Sequence, residues 1–168
     1  MGSGKTSTGR ALAEWLGWEF VDLDEMIERD EGVPIRQLFG GRGEAFFRAL
    51  EHEALRRCVA QVSRPTVLAL GGGAYVQPDN VELLLASEAR TVFLETPVED
   101  LLTRCVVEDT ADPENLRPLA ADAAEFRRLY EQRLPSYRAA DLTINTSGKT
   151  VEAIAREIAE ELKLIAGQ

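Results

Sequence analysis

Residues 1–10 read MGSGKTSTGR and run directly into an amphipathic helix. Gly4, Lys5 and Thr6 match the end of the phosphate-binding loop G-x-x-x-x-G-K-[ST], whose backbone N–H groups hold phosphate oxygens at a helix N-terminus. The first glycine of that motif would lie two residues before Met1. A glycine- and serine-rich expression tag could begin in the same way, but it would not continue into a well-formed helix. We therefore interpret residues 1–10 as the second half of a phosphate loop.

Composition excludes several classes of protein. The chain has 168 residues with 45% hydrophobic and 29% charged side chains, which is typical of one globular domain. A net charge of −10 argues against non-specific binding to nucleic acid or to anionic membranes. The two cysteines, Cys58 and Cys105, are far apart in sequence, which favours buried thiols in a reducing compartment over a disulfide or metal framework. No signal peptide or membrane span is apparent, so we expect a cytoplasmic protein.

The hydrophobic pattern alternates between the periods of helices and strands. It predicts helices at 5–16, 43–62, 78–87, 97–107, 121–138 and 150–165, and strands at 18–24, 66–70, 91–95 and 141–146. Short apolar strands that alternate with helices indicate an α/β fold, a parallel sheet with helices on both faces. A fifth strand, before Met1, would complete this architecture.

Ligands of such sheets bind at the carboxyl ends of the strands. Asp22 and Asp24 lie at one such end, and three consecutive glycines, 71–73, follow the next strand. An aspartate at this edge can orient a hydroxyl group and accept its proton, although Asp24 could equally cap the helix that follows. Three glycines allow a ligand to approach the backbone closely.

The chain resembles the shikimate kinase family, the small P-loop kinases of aromatic amino-acid biosynthesis, over essentially its whole length. The resemblance depends on six motifs at consistent spacings: MGSGKTSTGRALA, DLDEMIE, GEAFFRALE, LGGG, LRPL and RLPSYRAAD. It implies a P-loop NTPase fold of the nucleoside-monophosphate-kinase type, from which this chain lacks the first strand. It also implies one domain, 1–168, with an acceptor-binding region at 25–62 and a lid at 108–120.

The resemblance further implies an activity, which is transfer of the γ-phosphoryl group of ATP to the 3-hydroxyl of shikimate with Mg²⁺ as cofactor. The partners would be these small molecules, without nucleic acid or membrane, and the enzyme would be a monomer. The implied catalytic residues are Lys5, Asp24 and Arg117. The implied nucleotide-binding residues are Gly2, Ser3, Gly4, Lys5, Thr6, Ser7, Thr8, Gly9, Arg104 and Arg117. The implied acceptor-binding residues are Asp24, Arg48, Glu51, Gly71, Gly72, Gly73 and Arg133, and the implied metal ligands are Thr6 and Asp22.

Several alternatives remain open at this level. An arginine and a glutamate three residues apart, such as Arg48 and Glu51, are usually a solvated helix contact. Arg104 could be a helix-surface residue, and His52 is expected to be surface or structural. The four acids of the lid segment, Glu108, Asp109, Asp112 and Glu114, should weaken nucleotide binding. A gluconate kinase-like enzyme and a non-catalytic binding module are the competing functions.

Overall fold

The computed structural model describes residues 2–111 and 123–164, with only the backbone given for 105–111. The helices are α1 (Lys5–Leu16), α2 (Leu23–Glu31), α3 (Ile35–Gln61), α4 (Pro78–Ala86), α5 (Val98–Ala111), α6 (Ala123–Tyr137) and α7 (Val151–Glu161). The strands are β1 (Glu19–Asp22), β2 (Thr66–Ala69), β3 (Val92–Glu95) and β4 (Leu142–Asn145), and a short 3-10 helix covers Ala74–Val76. Within these ranges no helix is long and apolar enough to cross a bilayer.

Local sequence signals explain where several helices begin and end. Gly17 and Gly32 follow α1 and α2 in the left-handed conformation, with φ of 67° and 70°, which glycine adopts without strain. Thr150 caps α7, because its hydroxyl accepts a hydrogen bond from the Ala153 N–H. Gly43, with φ of 81°, kinks α3 and so divides it into two helical segments.

The structure corrects three predicted boundaries. The helix predicted over 43–62 begins earlier, at Ile35, and its predicted start coincides with the kink at Gly43. The strand predicted over 18–24 ends at Asp22, whose side chain caps α2 by accepting hydrogen bonds from the N–H groups of Asp24 and Glu25. The capping role that we considered for Asp24 therefore belongs to Asp22, and Asp24 lies in the first turn of α2. The helix predicted over 97–107 continues to Ala111, because no helix-breaking residue interrupts the acidic segment before that point.

The strands form two separate parallel pairs. In β1 and β2 Glu19 lies opposite Thr66, and in β3 and β4 Val92 lies opposite Leu142. No ladder joins β2 to β3 in the described part of the chain, so the single sheet that we predicted is interrupted there. A cavity of about 630 Å³ lies between the two pairs and is lined by residues of both facing strands. A further strand at this place stays a prediction.

Two hydrophobic cores cover the strand pairs. One lies under α2 and α3, with Leu23 and Leu55 fully buried. The other joins α1 and α7 to the second strand pair, and Ile144 and Ile158 lie at its centre. These cores pack beneath the carboxyl ends of the strands and the N-terminus of α1, where the polar residues described next lie.

Candidate active site

The N-terminal loop and α1 form an anion-binding corner. Gly4 precedes α1 in the left-handed conformation, with φ of 79°, and no side chain caps the first N–H groups of the helix. Lys5 is the first helical residue, and its Nζ lies 3.5 Å from the Ser3 hydroxyl. Uncapped N–H groups, a helix dipole and a lysine together favour phosphate oxygens.

Two oxygen-bearing side chains meet beside this corner. The Thr6 hydroxyl donates a hydrogen bond of 2.6 Å to Oδ2 of Asp22, while Oδ1 of Asp22 caps α2. Hard divalent cations such as Mg²⁺ prefer oxygen ligands and are usually bound by one or two protein oxygens together with substrate phosphates and water. The described residues contain no cluster of three or more histidine, cysteine or carboxylate ligands. The donor set therefore fits Mg²⁺ held jointly with phosphate better than a cation enclosed by protein.

Asp24 projects toward the glycine loop, Gly71–Gly73. Burial, and next the nearby charge of Asp22, raise the pKa of Asp24 above its ordinary value, while Lys5 opposes the shift. A Cβ atom added at Gly71 would lie 2.6 Å from Oδ1 of Asp24 and 3.0 Å from Oε1 of Glu51. Two carboxylates thus converge at Gly71, and only glycine leaves room for them.

Arg48 and Glu51 form an ion pair on α3 in which the carboxylate is buried. The Arg48 guanidinium donates a hydrogen bond of 2.7 Å to Oε2 of Glu51, and it also contacts the exposed Glu44 at 3.2 Å. Glu51 is only 1% exposed, so this pair is not the solvated helix contact that the spacing alone would favour. Burial raises the pKa of Glu51 even though Arg48 lowers it.

Guanidinium groups reach the glycine loop from two helices. A Cβ atom at Gly73 would collide with the guanidinium of Arg48, and Arg133 on α6 donates a hydrogen bond of 3.2 Å to the Gly72 carbonyl. The hydroxyl of Tyr137 donates to the same carbonyl. Both arginines therefore lie against one short loop, where two positive charges can receive a carboxylate.

Most of the residues predicted for the site meet here, but some do not. The Arg104 guanidinium donates to the Gly2 carbonyl at 3.2 Å, which places it beside the phosphate loop. Thr8 and Gly9 are buried, and a Cβ at Gly9 would lie 2.7 Å from the Phe20 ring, so packing explains this glycine. Arg117 and most of the predicted lid, 108–120, lie outside the described residues.

Sequence reasoning missed two polar residues that the structure connects to the glycine loop. Tyr137 lies one helical turn after Arg133, and that spacing of four residues could have indicated it. Asn80 is completely buried on α4 and forms hydrogen bonds with His52 and with the Ala74 carbonyl. No motif marks it, because an asparagine near a helix N-terminus is usually read as a cap or turn residue.

The chain is similar to known proteins over most of its length. The family model described as shikimate kinase matches residues 1–163. The shikimate kinase of Moorella thermoacetica is 41% identical over 97% of this chain and 90% of its own length, and that of Thermobifida fusca is 43% identical over 96% and 90%.

Its fold is similar to that of solved structures as well. The shikimate kinase of Acinetobacter baumannii in complex with shikimate has a TM-score of 0.84 and 37% identity over 99% of this chain and 91% of that one. The enzyme of Aquifex aeolicus vf5 has a TM-score of 0.79 and 31% identity over 97% and 91%.

Proposed function

The chain belongs to the shikimate kinase family and has its P-loop NTPase fold, and we propose that it transfers the γ-phosphoryl group of ATP to the 3-hydroxyl of shikimate. The observation that carries the proposal is the placement of two guanidinium groups, those of Arg48 and Arg133, against the same glycine loop that Asp24 faces. This loop would thus offer a site for a carboxylate on one side and a proton acceptor on the other, as a hydroxy acid requires.

The acceptor would be held by its carboxylate. Arg48 is oriented by Glu51, and Arg133 is oriented by the Gly72 carbonyl, so neither guanidinium has to be ordered when the acid arrives. Guanidinium groups bind carboxylates in two parallel hydrogen bonds, which fixes the direction of the substrate as well as its position. Because Gly71 and Gly73 have no side chains, the shikimate ring could lie close to the backbone of the loop.

The phosphoryl donor, ATP, would be held by the anion-binding corner. Lys5 and the N–H groups at the start of α1 would bind the β- and γ-phosphate oxygens, and Arg104 would lie beside the nucleotide. Thr6 and Asp22 would hold Mg²⁺, which supplies positive charge to the phosphate oxygens when bound. Arg117, assigned from the resemblance, would add a further cation.

Asp24 would act on the acceptor hydroxyl. As the shikimate oxygen forms its bond to the γ-phosphorus, the bond from that phosphorus to the β,γ-bridging oxygen breaks, and ADP leaves with the electron pair. Asp24 would orient the hydroxyl and receive its proton. Its raised pKa makes the carboxylate a better proton acceptor than an ordinary aspartate. Positioning and charge stabilisation would supply most of the rate enhancement.

A coupled ADP-release assay with shikimate, gluconate or no acid tests the proposal. We expect ADP release only with shikimate and Mg²⁺, together with one new phosphate monoester signal in the ³¹P NMR spectrum of the product. Equal turnover of gluconate would show that the acceptor is wrongly assigned. Binding of shikimate in calorimetry without any ADP release would identify a non-catalytic module instead.

We further propose a monomeric cytoplasmic enzyme with 25–62 as its acceptor-binding region and 108–120 as its lid. The location of Arg48 and Glu51 on α3 supports the first of these ranges. The net charge of −10 supports the absence of nucleic-acid partners. Size-exclusion chromatography with light scattering measures the oligomeric state directly.

A further inference from the structure

Asn80 is a fully buried polar residue outside the proposed chemistry. It lies on α4 with 0% of its surface exposed. Its Nδ2 donates a hydrogen bond of 3.0 Å to the Ala74 carbonyl, and its Oδ1 lies 2.8 Å from Nδ1 of His52 on α3. A buried side-chain amide is retained only where its hydrogen bonds are satisfied, because a lost partner leaves an uncompensated polar group.

The partners decide which ring nitrogen of His52 carries the hydrogen of this bond. A backbone carbonyl only accepts hydrogen bonds, so the amide nitrogen of Asn80 must face Ala74 and the amide oxygen must face His52. Nδ1 of His52 is then the donor. Both the Nδ1–H tautomer and the imidazolium ion can supply this hydrogen, whereas the Nε2–H tautomer cannot.

Ala74 is the residue at which the glycine loop enters the 3-10 helix. Its N–H donates a hydrogen bond of 3.1 Å to the Gly71 carbonyl and so closes the turn, while its carbonyl receives the Asn80 amide. Any shift of the turn would move Gly73, whose backbone lies directly against the Arg48 guanidinium. The hydrogen bond from Asn80 therefore affects the distance between the loop and Arg48.

We propose that Asn80 and His52 are positioning residues that fix the glycine loop relative to the two arginines of the acid-binding site. The proposal deepens the proposed function and rests on it. His52 follows Glu51 in sequence and lies one turn after Arg48, so α3 carries both the acid-binding pair and the hydrogen bond that holds Asn80. A displacement of the glycine loop would alter binding of the hydroxy acid and leave the anion-binding corner unchanged.

Substitutions at His52 separate the hydrogen bond from simple packing. His52→Leu removes the donor to Asn80, while His52→Asn can place an amide N–H near the position of Nδ1. We expect His52→Leu to raise the KM for shikimate at least about fivefold, which is the scale of one lost hydrogen bond. The KM for ATP should stay within about twofold of the parent value. His52→Asn should restore most of the affinity for the acid.

Asn80→Asp is the second variant, because it keeps the shape of the side chain but has no N–H to give the Ala74 carbonyl. Glu53→Gln on α3 and Glu82→Gln on α4 are matched controls, since both side chains are exposed and neither lies next to the loop. Both controls should match the parent. Circular dichroism and thermal unfolding show whether Asn80→Asp folds, and if it does not, His52→Leu and His52→Asn carry the test.

Hydrogen exchange provides a readout that does not depend on the substrate. The peptide covering residues 70–77 should exchange faster in His52→Leu than in the parent and should be protected again in His52→Asn. Unchanged exchange in this peptide together with an unchanged KM for the acid would overturn the inference, as would equal increases in KM for both substrates. A parent protein that does not phosphorylate shikimate would contradict the proposed function, while the exchange data would still decide whether His52 fixes the loop.

Discussion

Glu51 binds Arg48 through only one of its two carboxylate oxygens. Oε2 accepts the hydrogen bond of 2.7 Å, while the buried Oε1 has no hydrogen-bond partner in the described structure and lies beside the position that a Cβ of Gly71 would occupy. A buried carboxylate with an unsatisfied oxygen costs free energy in the folded protein. Its retention is best explained by the need to hold a guanidinium in one orientation for a ligand.

Glu51→Ala should therefore be far more disruptive than an equivalent change at the surface. The change leaves the largely buried Arg48 without its main partner. Breaking a buried pair lowers the free energy of unfolding by about 3–5 kcal/mol, and this range is an upper bound here because Arg48 remains partly exposed. Glu53→Ala is the matched control, because Glu53 and Arg56 form a second pair three residues apart on the same helix but exposed. That change should leave the free energy of unfolding close to that of the parent, because solvent screens an exposed pair. Urea unfolding measures both, and equal values would show that burial does not matter here.

Arg48→Ala and Arg133→Ala should each weaken binding of shikimate far more than binding of ATP. Each change removes a charge-assisted contact to the acid carboxylate, which is worth on the order of 2–5 kcal/mol where the pair is desolvated. Calorimetric titration with each ligand separately measures the two affinities. Arg56→Ala is the surface control. Equal losses for shikimate and ATP would mean that the arginines serve the fold and not the acceptor.

Asp24→Asn should separate activity from stability. Because burial raises the pKa of Asp24, the folded protein retains this proton to higher pH than the unfolded chain does. Its favourable contribution to the free energy of unfolding is thus complete below the unfolded pKa of about 3.9 and is lost as the pH rises through the folded pKa. The uncharged variant should have a higher Tm than the parent at pH 7, and the difference should disappear below about pH 4.

The same variant should turn over shikimate at least about a hundredfold more slowly, the usual scale for a lost proton acceptor. In the parent, the acidic limb of the profile of kcat against pH should lie at higher pH than for an ordinary aspartate. The measurements are thermal unfolding from pH 3 to 8 and ADP release across the same range. If Asp24→Asn is as active as the parent, Asp24 only forms part of the first turn of α2.

Lys5→Met should affect the donor side alone. The change removes the cation beside the uncapped N-terminus of α1, and loss of one electrostatic contact to a transferring group typically lowers kcat by about 10²–10³-fold. Calorimetry should show weakened binding of ATP and unchanged binding of shikimate. Arg10→Met, on an exposed part of the same helix, is the control. If Lys5→Met turns over as fast as the parent, Lys5 does not take part in phosphoryl transfer.

Local patterns predicted the strands and most helices because their signals are local, but the bounds of α2 were not predicted and α3 begins at Ile35 instead of residue 43. The apolar face of α1 and its terminal Gly17 defined that helix at both ends, and the strands of four residues were recognisable as apolar runs between turn signals. The end of β1 was wrong by two residues, because a capping bond from Asp22 to the N–H of Asp24 is decided by side-chain geometry. Composition does not show which of two nearby aspartates will cap a helix.

The placement of the candidate site residues was predictable where a motif fixes it and unpredictable where it depends on long-range contacts. Lys5, Asp24 and the glycine loop follow from strand ends and phosphate-loop spacing. The burial of Glu51 and the contact from Tyr137 to Gly72, 65 residues apart, depend on how α3 and α6 pack around the loop. The hydrogen bond between His52 and Asn80 has the same origin, since it joins two helices 28 residues apart.

The cavity between β2 and β3 gives the last prediction. Both strands run in parallel ladders with their other neighbours, and they present edges to a space of about 630 Å³. Unpaired strand edges and apolar walls are both unfavourable in water, and one extended segment would satisfy both. A strand that leads into Gly2 would run parallel to β2 and β3, because α1 begins at the end of the site where their carboxyl ends lie.

Adding five to seven apolar residues and a Gly-X pair before Met1 should therefore stabilise the protein. Burying two or three more apolar side chains should raise Tm by roughly 5 °C or more. Turnover should rise as well, since the phosphate loop would be anchored at both ends. The control is a glycine- and serine-rich extension of the same length, which cannot fill an apolar cavity.

Intrinsic fluorescence reports where the added segment lies. The chain has two tryptophans, of which Trp18 lines the cavity and Trp15 is exposed. In a Trp15→Phe background, the apolar extension should shift the emission of Trp18 to shorter wavelength, and the polar extension should not. The prediction fails if the apolar and polar extensions give the same Tm, emission and rate of ADP release, because the cavity would then be a stable feature that needs no strand.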